Sequence, residues 1–152
     1  MANNNHGKNS TGILVKRLNE RAQTPRRATD GATGYDLYAC LDSDELEVGP
    51  EPIRVPTGVA IETPPGLDVQ IRPRSGLSFK GVMVTYGTID ADYRGELLVT
   101  MYALPHREPH IVHNGDRIAQ LVISQIADVR LEEAEELTAT ARNTGGHGST
   151  GR

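Results

Sequence analysis

The chain has 152 residues, a formal net charge of −4 and a hydrophobic content of 37%, with a single Phe and no Trp. This length fits one domain, and the shortage of large apolar side chains predicts a thin core in one copy and association between copies to bury more surface. The negative charge argues against broad, charge-driven binding to DNA or RNA, and Cys40, the only cysteine, excludes an intrachain disulfide.

The beginning of the chain is polar and rich in Asn, so we expect a flexible tail over residues 1–10. It contains no apolar stretch of the kind found in secretory signals. No later run is long and apolar enough to cross a bilayer. The sequence therefore predicts a cytoplasmic protein without a membrane or nucleic-acid partner.

Short segments with alternating apolar and polar residues follow the tail. In residues 67–72 and 96–104 every second residue is apolar, which is typical of a strand with one buried face. Gly, Pro and Asn residues between the segments favour turns. The sequence thus predicts an all-β sandwich or barrel, with a short helical turn at residues 75–80. The predicted strands are residues 13–18, 54–62, 67–72, 96–104 and 117–123.

Residues 131–137 depart from this pattern, because Leu-Glu-Glu-Ala-Glu-Glu-Leu consists of strong helix formers. Local propensity predicts a helix, but tertiary contacts can override it, so helix and strand both stay open. Residues 144–151 are rich in Gly and form the low-complexity part of the chain.

One candidate for chemistry is residues 87–96, which hold two Asp residues, a Tyr and an Arg between two glycines, just before a predicted strand. An ionised Asp90 in such a turn is able to orient and deprotonate a water. In a hairpin, Asp92 would point to the same side as Asp90. Taken alone, the segment is better explained as a solvated acidic turn.

Residues 72–78 follow a strand and open the helical turn, so Arg74, a Ser hydroxyl and backbone N–H groups can converge on phosphate oxygens. A strand-ending turn with a Ser helix cap explains the same residues. The Gly-rich end, beginning near Arg142, is either a flexible tail or a lid ordered by an anionic ligand. Asp36 and Gln120 suit a strand edge and a half-buried strand, and neither is specific alone.

Taken in order, these segments resemble the five motifs of the homotrimeric dUTPase family, over nearly the whole chain. The matching residues are 34–37, 73–77, 87–95, 115–120 and 148–151. The resemblance implies a jelly-roll-like β-barrel subunit over residues 11–138, three of which form a homotrimer with shared active sites. It also implies that a flexible C-terminal arm, residues 139–152, closes a neighbour's site, and it favours a strand at residues 131–137.

The activity implied by this resemblance is that of a dUTP diphosphatase. Such an enzyme hydrolyses dUTP to dUMP and pyrophosphate, which limits uracil incorporation into DNA and supplies dUMP for thymidylate synthesis. By motif position, Asp90 activates the water that attacks the α-phosphorus. Mg²⁺ is the implied cofactor and bridges the phosphate chain, while Asp36 holds a metal-bound water.

The resemblance also implies the substrate contacts. Gln120 places the phosphates or the water, and the Tyr93 ring packs against the deoxyribose, where a 2′-hydroxyl would collide or lose hydration. The phosphate chain is held by Arg74, Ser75 and Gly76. Its γ end is covered by Arg142, Ser149 and Thr150 of the C-terminal arm, which also contains His147 and Gly148. The uracil is read in part by the backbone of Gly87, Thr88 and Ile89.

Two positions depart from the family pattern. His147 stands where many relatives carry a Phe that stacks on uracil. Because imidazole titrates at about pH 6.5, the nucleotide affinity is expected to vary with pH. The segment of residues 81–87 is shorter than the matching segment in many bacterial relatives, and it lacks the Asn of the base-reading hairpin. This leaves the uracil contacts to backbone groups, for example at Thr85 or Tyr86.

Two other functions stay open on the sequence alone. A dCTP deaminase, or a bifunctional dCTP deaminase-dUTPase, shares the fold and substrate type, although residues 87–95 and the glycine arm fit dUTP hydrolysis better. A non-catalytic nucleotide-sensing binder is compatible with the fold. Such a binder would not need Asp90, so the presence of this residue favours catalysis.

Overall fold

The structure is a computed structural model and describes residues 12–146. Within this range the chain forms ten strands and one five-residue helix, which confirms the all-β class. No helix of these residues is long and apolar enough to span a membrane. The elements are β1 (Leu14–Arg17), β2 (Tyr35–Tyr38), β3 (Glu45–Val48), β4 (Ile53–Glu62), β5 (Leu67–Arg72), α1 (Ser75–Phe79), β6 (Val82–Val84), β7 (Gly87–Ile89), β8 (Glu96–Ala103), β9 (His110–His113) and β10 (Arg117–Gln125).

The strands form two four-stranded sheets and one pair. One sheet has the order β1-β4-β8-β6, the second has the order β2-β10-β5-β7, and β3 pairs with β9. The second sheet, here called the motif sheet, carries Asp36 on β2 and Gln120 on β10. Its strand β5 leads into Arg74, and β7 leads into Asp90. The candidate site is therefore positioned by this sheet.

The core lies between the sheets and follows the predicted alternation. On β8, Leu97, Val99, Met101 and Ala103 are buried while the residues between them are only half-buried. Burying a Leu or Val side chain stabilises the fold by roughly 1.5–3 kcal/mol. The core is mainly aliphatic, since the single Phe, Phe79, is 92% exposed and Tyr38 is the one buried aromatic residue among those described.

All five predicted strands are present, and their ends differ from the prediction by at most two residues. The predicted helical turn is also present, as α1. Five strands were not predicted, namely β2, β3, β6, β7 and β9. Each has only three or four residues, which is too short for an alternating pattern to stand out from its surroundings.

The expectations for residues 131–137 are both wrong for a single copy of the chain, because these residues form neither helix nor strand. Leu131 is 98% exposed and Leu137 is 90% exposed. A helix this short is unstable without packing, and this segment has no strand partner among the described residues. The tail at residues 1–10 lies outside the described range, and the domain boundary at residue 138 stays a prediction.

Candidate active site

Asp36, predicted to hold a metal-bound water, and Arg74, predicted to hold the phosphate chain, meet at one end of the motif sheet. The Asp36 side chain is 13% exposed, and its Oδ1 is 3.3 Å from Arg74 Nε. Its Oδ2 is 3.4 Å from Nη1 of Arg117. Arg74 Nη1 also donates a hydrogen bond of 2.9 Å to the Arg117 carbonyl. Two guanidinium groups thus share one carboxylate, and the cluster keeps a net positive charge that suits an anion.

Gln120 joins this cluster through the strand register. It lies directly opposite Asp36 on β2 and opposite Arg72 on β5, so the three side chains share one face of the sheet. Its Nε2 donates a hydrogen bond of 2.9 Å to the Pro73 carbonyl. Gln120 therefore holds the backbone immediately before Arg74. We call Asp36, Arg74, Arg117 and Gln120 the phosphate end.

Gly34 provides the space that Gln120 occupies. A Cβ on Gly34 would overlap Oε1 of Gln120 and lie 2.8 Å from its Cδ. Any larger residue would displace the Gln120 side chain and weaken its bond to Pro73. The glycine that precedes β2 is thus required by a close approach across the sheet.

Ser75 and Gly76 begin α1 beside the phosphate end. The N-cap residue is Arg74, and it makes no side-chain capping bond, so the Ser-capped turn considered above is not formed. The first hydrogen bonds of the turn are donated by the backbone of Leu77 and Ser78 to the Arg74 carbonyl, both at 3.1 Å. The preceding N–H groups, those of Ser75 and Gly76, have no intrahelical acceptor and are available to a ligand.

Asp90 follows the last residue of β7 and begins a tight turn. The Tyr93 N–H donates a hydrogen bond of 3.0 Å to the Asp90 carbonyl, and both Asp90 and Asp92 are exposed. Because β7 ends at Ile89, the strand alternation expected to place Asp90 and Asp92 on one side does not apply. Nη1 of Arg94 donates to the Ala91 carbonyl at 2.7 Å and so supports the turn. We call residues 90–95, which contain the predicted general base, the catalytic turn.

Tyr93 folds back over Gly95. Its hydroxyl donates a hydrogen bond of 2.9 Å to the Glu96 carbonyl, and a Cβ on Gly95 would overlap that hydroxyl and lie 2.9 Å from Cε2 of the ring. Tyr93 remains 43% exposed. The turn thus presents an aromatic surface with a fixed orientation.

The structure separates Asp90 from the phosphate end. On antiparallel β7 and β5, Ile89 lies opposite Val69, so Asp90 is beside the start of β5. Arg74 follows the other end of this six-residue strand, and the two ends are roughly 17–20 Å apart. A general base must come within about 2.6–3.2 Å of the proton that it removes. One copy of the chain therefore does not bring these two parts of the predicted site together.

Within the described residues, Arg142 makes no hydrogen bond or ion pair with the phosphate end. Its Nε donates a hydrogen bond of 2.8 Å to the Gly145 carbonyl, and the Gly145 N–H donates to the Arg142 carbonyl at 2.9 Å. The side chain is thus engaged within its own turn. The other predicted arm residues, His147, Gly148, Ser149 and Thr150, lie outside the described residues.

Sequence reasoning missed Arg117 and Arg72 as members of the site. Arg117 stands within the Gly-Asp-Arg-Ile-Ala-Gln segment that was already recognised, but only Gln120 was singled out there. Arg72 faces Gln120 across the sheet, and its buried Nε has no hydrogen-bond partner among the described residues. The pairing register of β10 and β5 is what places Arg72 beside Gln120, and sequence alone does not give that register.

A recess of about 650 Å³ opens beside the phosphate end. Asp36 and Arg117 line it, together with Arg26 and Tyr38. Its volume falls in the range of small-molecule sites, roughly 300–1,000 Å³. The recess therefore extends the candidate site beyond Asp36, toward Arg26.

A mostly apolar groove of about 550 Å³ lies elsewhere, beside β1. Its lining includes Ile13, Val15, Ile61 and Leu121. The groove contains neither the phosphate end nor the catalytic turn, so it is not part of the candidate active site.

His110, on β9, has a perturbed titration. Burial lowers the pKa of His110, nearby Lys80 and His113 lower it further, and the carboxylate of Asp116 opposes them. The residue lies outside the motif sheet, so this pKa shift is not a feature of the candidate active site.

Comparison with protein families gives a match to the dUTPase model over residues 20–151. The chain is 50% identical over 143 residues to the deoxyuridine 5'-triphosphate nucleotidohydrolase of Hydrogenobaculum sp., covering 91% of this chain and 97% of that protein. It is 45% identical over 142 residues to the protein of the same name from Paramecium bursaria Chlorella virus 1, covering 93% and 99%.

Solved structures give the same result for the fold. The dUTPase of Staphylococcus bacteriophage 80alpha with dUpNHpp superposes with a TM-score of 0.78 at 27% identity, covering 94% of this chain and all of that one. A point mutant of the dUTPase from phage phi11 of S. aureus, described with a structural Mg(II) ion, gives a TM-score of 0.73 at 26% identity, covering 82% and 97%.

Proposed function

The chain belongs to the dUTPase family, and we propose that it hydrolyses dUTP to dUMP and pyrophosphate through water attack on the α-phosphorus. The observation that carries this proposal is the family match over residues 20–151, a range that includes every motif residue named above. Two relatives at 45–50% identity bear the name deoxyuridine 5'-triphosphate nucleotidohydrolase.

Asp90 is the proposed general base. It accepts a proton from a water as that water forms its bond to the α-phosphorus, and the bond from the α-phosphorus to the bridging oxygen breaks with pyrophosphate as leaving group. The exposed carboxylate begins a turn that is supported by the Arg94 side chain. Such positioning is what an ionised Asp needs, and general base catalysis contributes typically about 10²–10⁴-fold to rate.

The phosphate end is proposed to bind the triphosphate. Arg74 and Arg117 supply guanidinium donors around Asp36, and the N–H groups of Ser75 and Gly76 add backbone donors. Gln120 supports this arrangement through the Pro73 carbonyl. Arg142, Ser149 and Thr150 are proposed to close over the γ end from the C-terminal arm.

Mg²⁺ fits these residues only as a partner of the triphosphate. No group of three or more His, Cys, Asp or Glu side chains suited to a metal occurs within residues 12–146. Mg²⁺ is commonly held by one or two carboxylates together with substrate phosphates, and Asp36 is the carboxylate at the phosphate end. When bound, the ion would neutralise phosphate charge, with Asp36 holding it through a water.

The active site is proposed to form between copies of the chain in a homotrimer. The distance between Asp90 and Arg74 along β5 supports this, since a second copy can supply the missing half. The exposed Leu131 and Leu137, together with the apolar groove beside β1, indicate surfaces that association would cover. We propose that each subunit is jelly-roll-like and that its arm reaches a neighbouring site.

Tyr93 is proposed to select the deoxyribose. Its ring is held over Gly95 by the bond to the Glu96 carbonyl, so a 2′-hydroxyl would meet a fixed aromatic surface. The backbone of Gly87, Thr88 and Ile89, on the strand before the catalytic turn, is proposed to read the uracil. His147 and Gly148 would cover the base from the arm.

The test is pyrophosphate release from dUTP, UTP, dTTP and dCTP by the purified protein with Mg²⁺, with ammonia release from dCTP measured in parallel. We expect rapid turnover of dUTP alone and no ammonia. Ammonia release would instead indicate a deaminase, and binding of dUTP without turnover would indicate a nucleotide sensor.

A further inference from the structure

A row of four polar side chains crosses the motif sheet and continues past its edge. Arg72, Gln120 and Asp36 lie opposite one another on β5, β10 and β2. An isolated antiparallel bridge then pairs Asp36 with Arg26, and the Asp36 N–H donates a hydrogen bond of 2.8 Å to the Arg26 carbonyl. Residues directly opposite in a sheet share a face. Arg26 therefore extends the phosphate end beyond Asp36.

The Arg26 side chain is held in place by Tyr38. Nε of Arg26 donates a hydrogen bond of 3.1 Å to the Tyr38 hydroxyl, and the guanidinium carbon is 5.9 Å from the centre of the ring. Tyr38 itself is only 6% exposed, so it is a rigid support. An arginine fixed through Nε keeps its two Nη groups available, in the planar geometry that matches phosphate oxygens.

Arg26 differs from Arg74 and Arg117 in how its donors are used. Arg74 and Arg117 both pair with Asp36, whereas within residues 12–146 Arg26 has no carboxylate partner and its Nη groups donate no hydrogen bond. All the same, Arg26 lines the same recess as Asp36 and Arg117. A guanidinium with available donors beside a polar recess is suited to an incoming anion.

We propose that Arg26 is a further binding residue of the active site, contacting the β- and γ-phosphates of dUTP that leave as pyrophosphate. This rests on the proposed function. The nucleoside offers no anionic group, whereas the two leaving phosphates carry most of the negative charge of dUTP. Tyr38 is the positioning residue that holds Arg26 toward them.

The experiment measures the Kd of the non-hydrolysable analogue dUpNHpp and of dUMP by titration calorimetry with Mg²⁺. In Arg26→Met we expect the Kd of dUpNHpp to rise about tenfold, as for a partly exposed charge-assisted contact, while that of dUMP changes less than about twofold. Arg26→Lys keeps the positive charge but lacks the planar guanidinium, so its Kd for dUpNHpp should lie between those of the wild type and Arg26→Met. Tyr38→Phe removes the hydroxyl and shifts the Kd in the same direction.

The matched control is Arg54→Met, which removes an exposed arginine from β4 in the other sheet and should leave both Kd values unchanged. Equal weakening of dUMP and dUpNHpp in Arg26→Met, or no weakening of either, would overturn the assignment of Arg26. An equal loss in Arg54→Met would attribute the effect to net charge and overturn it as well. If the wild-type chain neither hydrolyses dUTP nor binds dUpNHpp, the proposed function fails together with this inference.

Discussion

The two ends of β5 are built differently. At the phosphate end, Asp36 is largely buried and is tied to two arginines, and Gln120 is fixed by its register and its bond to Pro73. In the catalytic turn, Asp90 is exposed. The hydrogen bonds that hold this turn, among the described residues, join only residues of the turn itself and Glu96. One end is thus organised within a single copy, whereas the other is exposed, as the proposed homotrimer requires of a surface that meets a neighbouring copy.

The largest effect is expected at Asp90. Asp90→Asn keeps the shape of the side chain but removes the general base, so kcat should fall by about 10²–10⁴-fold. The Kd of dUpNHpp should stay close to that of the wild type, because the phosphate end is untouched. Pyrophosphate release and titration calorimetry measure the two quantities.

The control for this variant is Asp92→Asn, which makes the same chemical change two residues away in the same exposed turn. We expect it to retain most of the wild-type kcat. Equal losses in both variants would show that the turn needs negative charge rather than a base at Asp90.

Association of copies should depend on the leucines that are exposed in one copy. Leu131→Asp places a charge on a side chain that is 98% exposed in the single chain but that we expect to be buried against a neighbour. Losing a buried Leu contact costs roughly 2–5 kcal/mol, so the proposed trimer should dissociate at higher protein concentrations. Sedimentation and the concentration dependence of activity measure this.

Thr138→Asp adds the same charge at another exposed position of this segment and serves as the comparison. Unchanged sedimentation of both variants would mean that Leu131 is not part of an interface.

The phosphate end should be sensitive to a single methyl group at Gly34. Gly34→Ala forces Gln120 away from Pro73, so stability should fall by roughly 1–3 kcal/mol, and the KM for dUTP should rise about tenfold as Arg74 loses its support. Gly31→Ala is the control, since a Cβ there meets nothing within 4 Å. If the two variants unfold at the same urea concentration, the close approach of Gly34 and Gln120 does not contribute to stability.

A smaller effect is expected from Gly95, in the catalytic turn. Gly95→Ala moves the Tyr93 ring, so the preference for dUTP over UTP in kcat/KM should fall about three- to tenfold with little change in stability. Gly49→Ala, another site where a Cβ meets nothing within 4 Å, should leave this preference unaltered. A preference that survives in Gly95→Ala would remove Tyr93 as its source.

The parts of the fold that the sequence predicts are those with a long repeated pattern. Strands β5 and β8 have six and eight residues, and their alternation places the core residues correctly. By contrast, β7 has three residues and gives no readable period. Residues 131–137 show the opposite case, in which the local pattern is strong but the predicted structure is absent. Their residues favour a helix, but in one copy no surface packs against the segment to stabilise it.

The candidate site is predicted in its residues but not in its arrangement. Sequence order places Asp90 only sixteen residues after Arg74, yet β5 and its antiparallel pairing with β7 put them at opposite ends. Arg26 and Arg117 are absent from the predicted set because their role depends on which strands are neighbours. Register across a sheet is a tertiary property that one sequence does not display.

The division of the active site between copies is tested most directly by mixing two inactive variants. Arg74→Ala removes a phosphate contact and Asp90→Asn removes the base, so trimers of either variant alone should be inactive. In mixed trimers from equal amounts, random assembly gives about a quarter of the sites both an intact Arg74 and an intact Asp90 from different copies. We expect dUTP hydrolysis to return to about a quarter of the wild-type rate, whereas no recovered activity in verified mixed trimers would contradict a shared site.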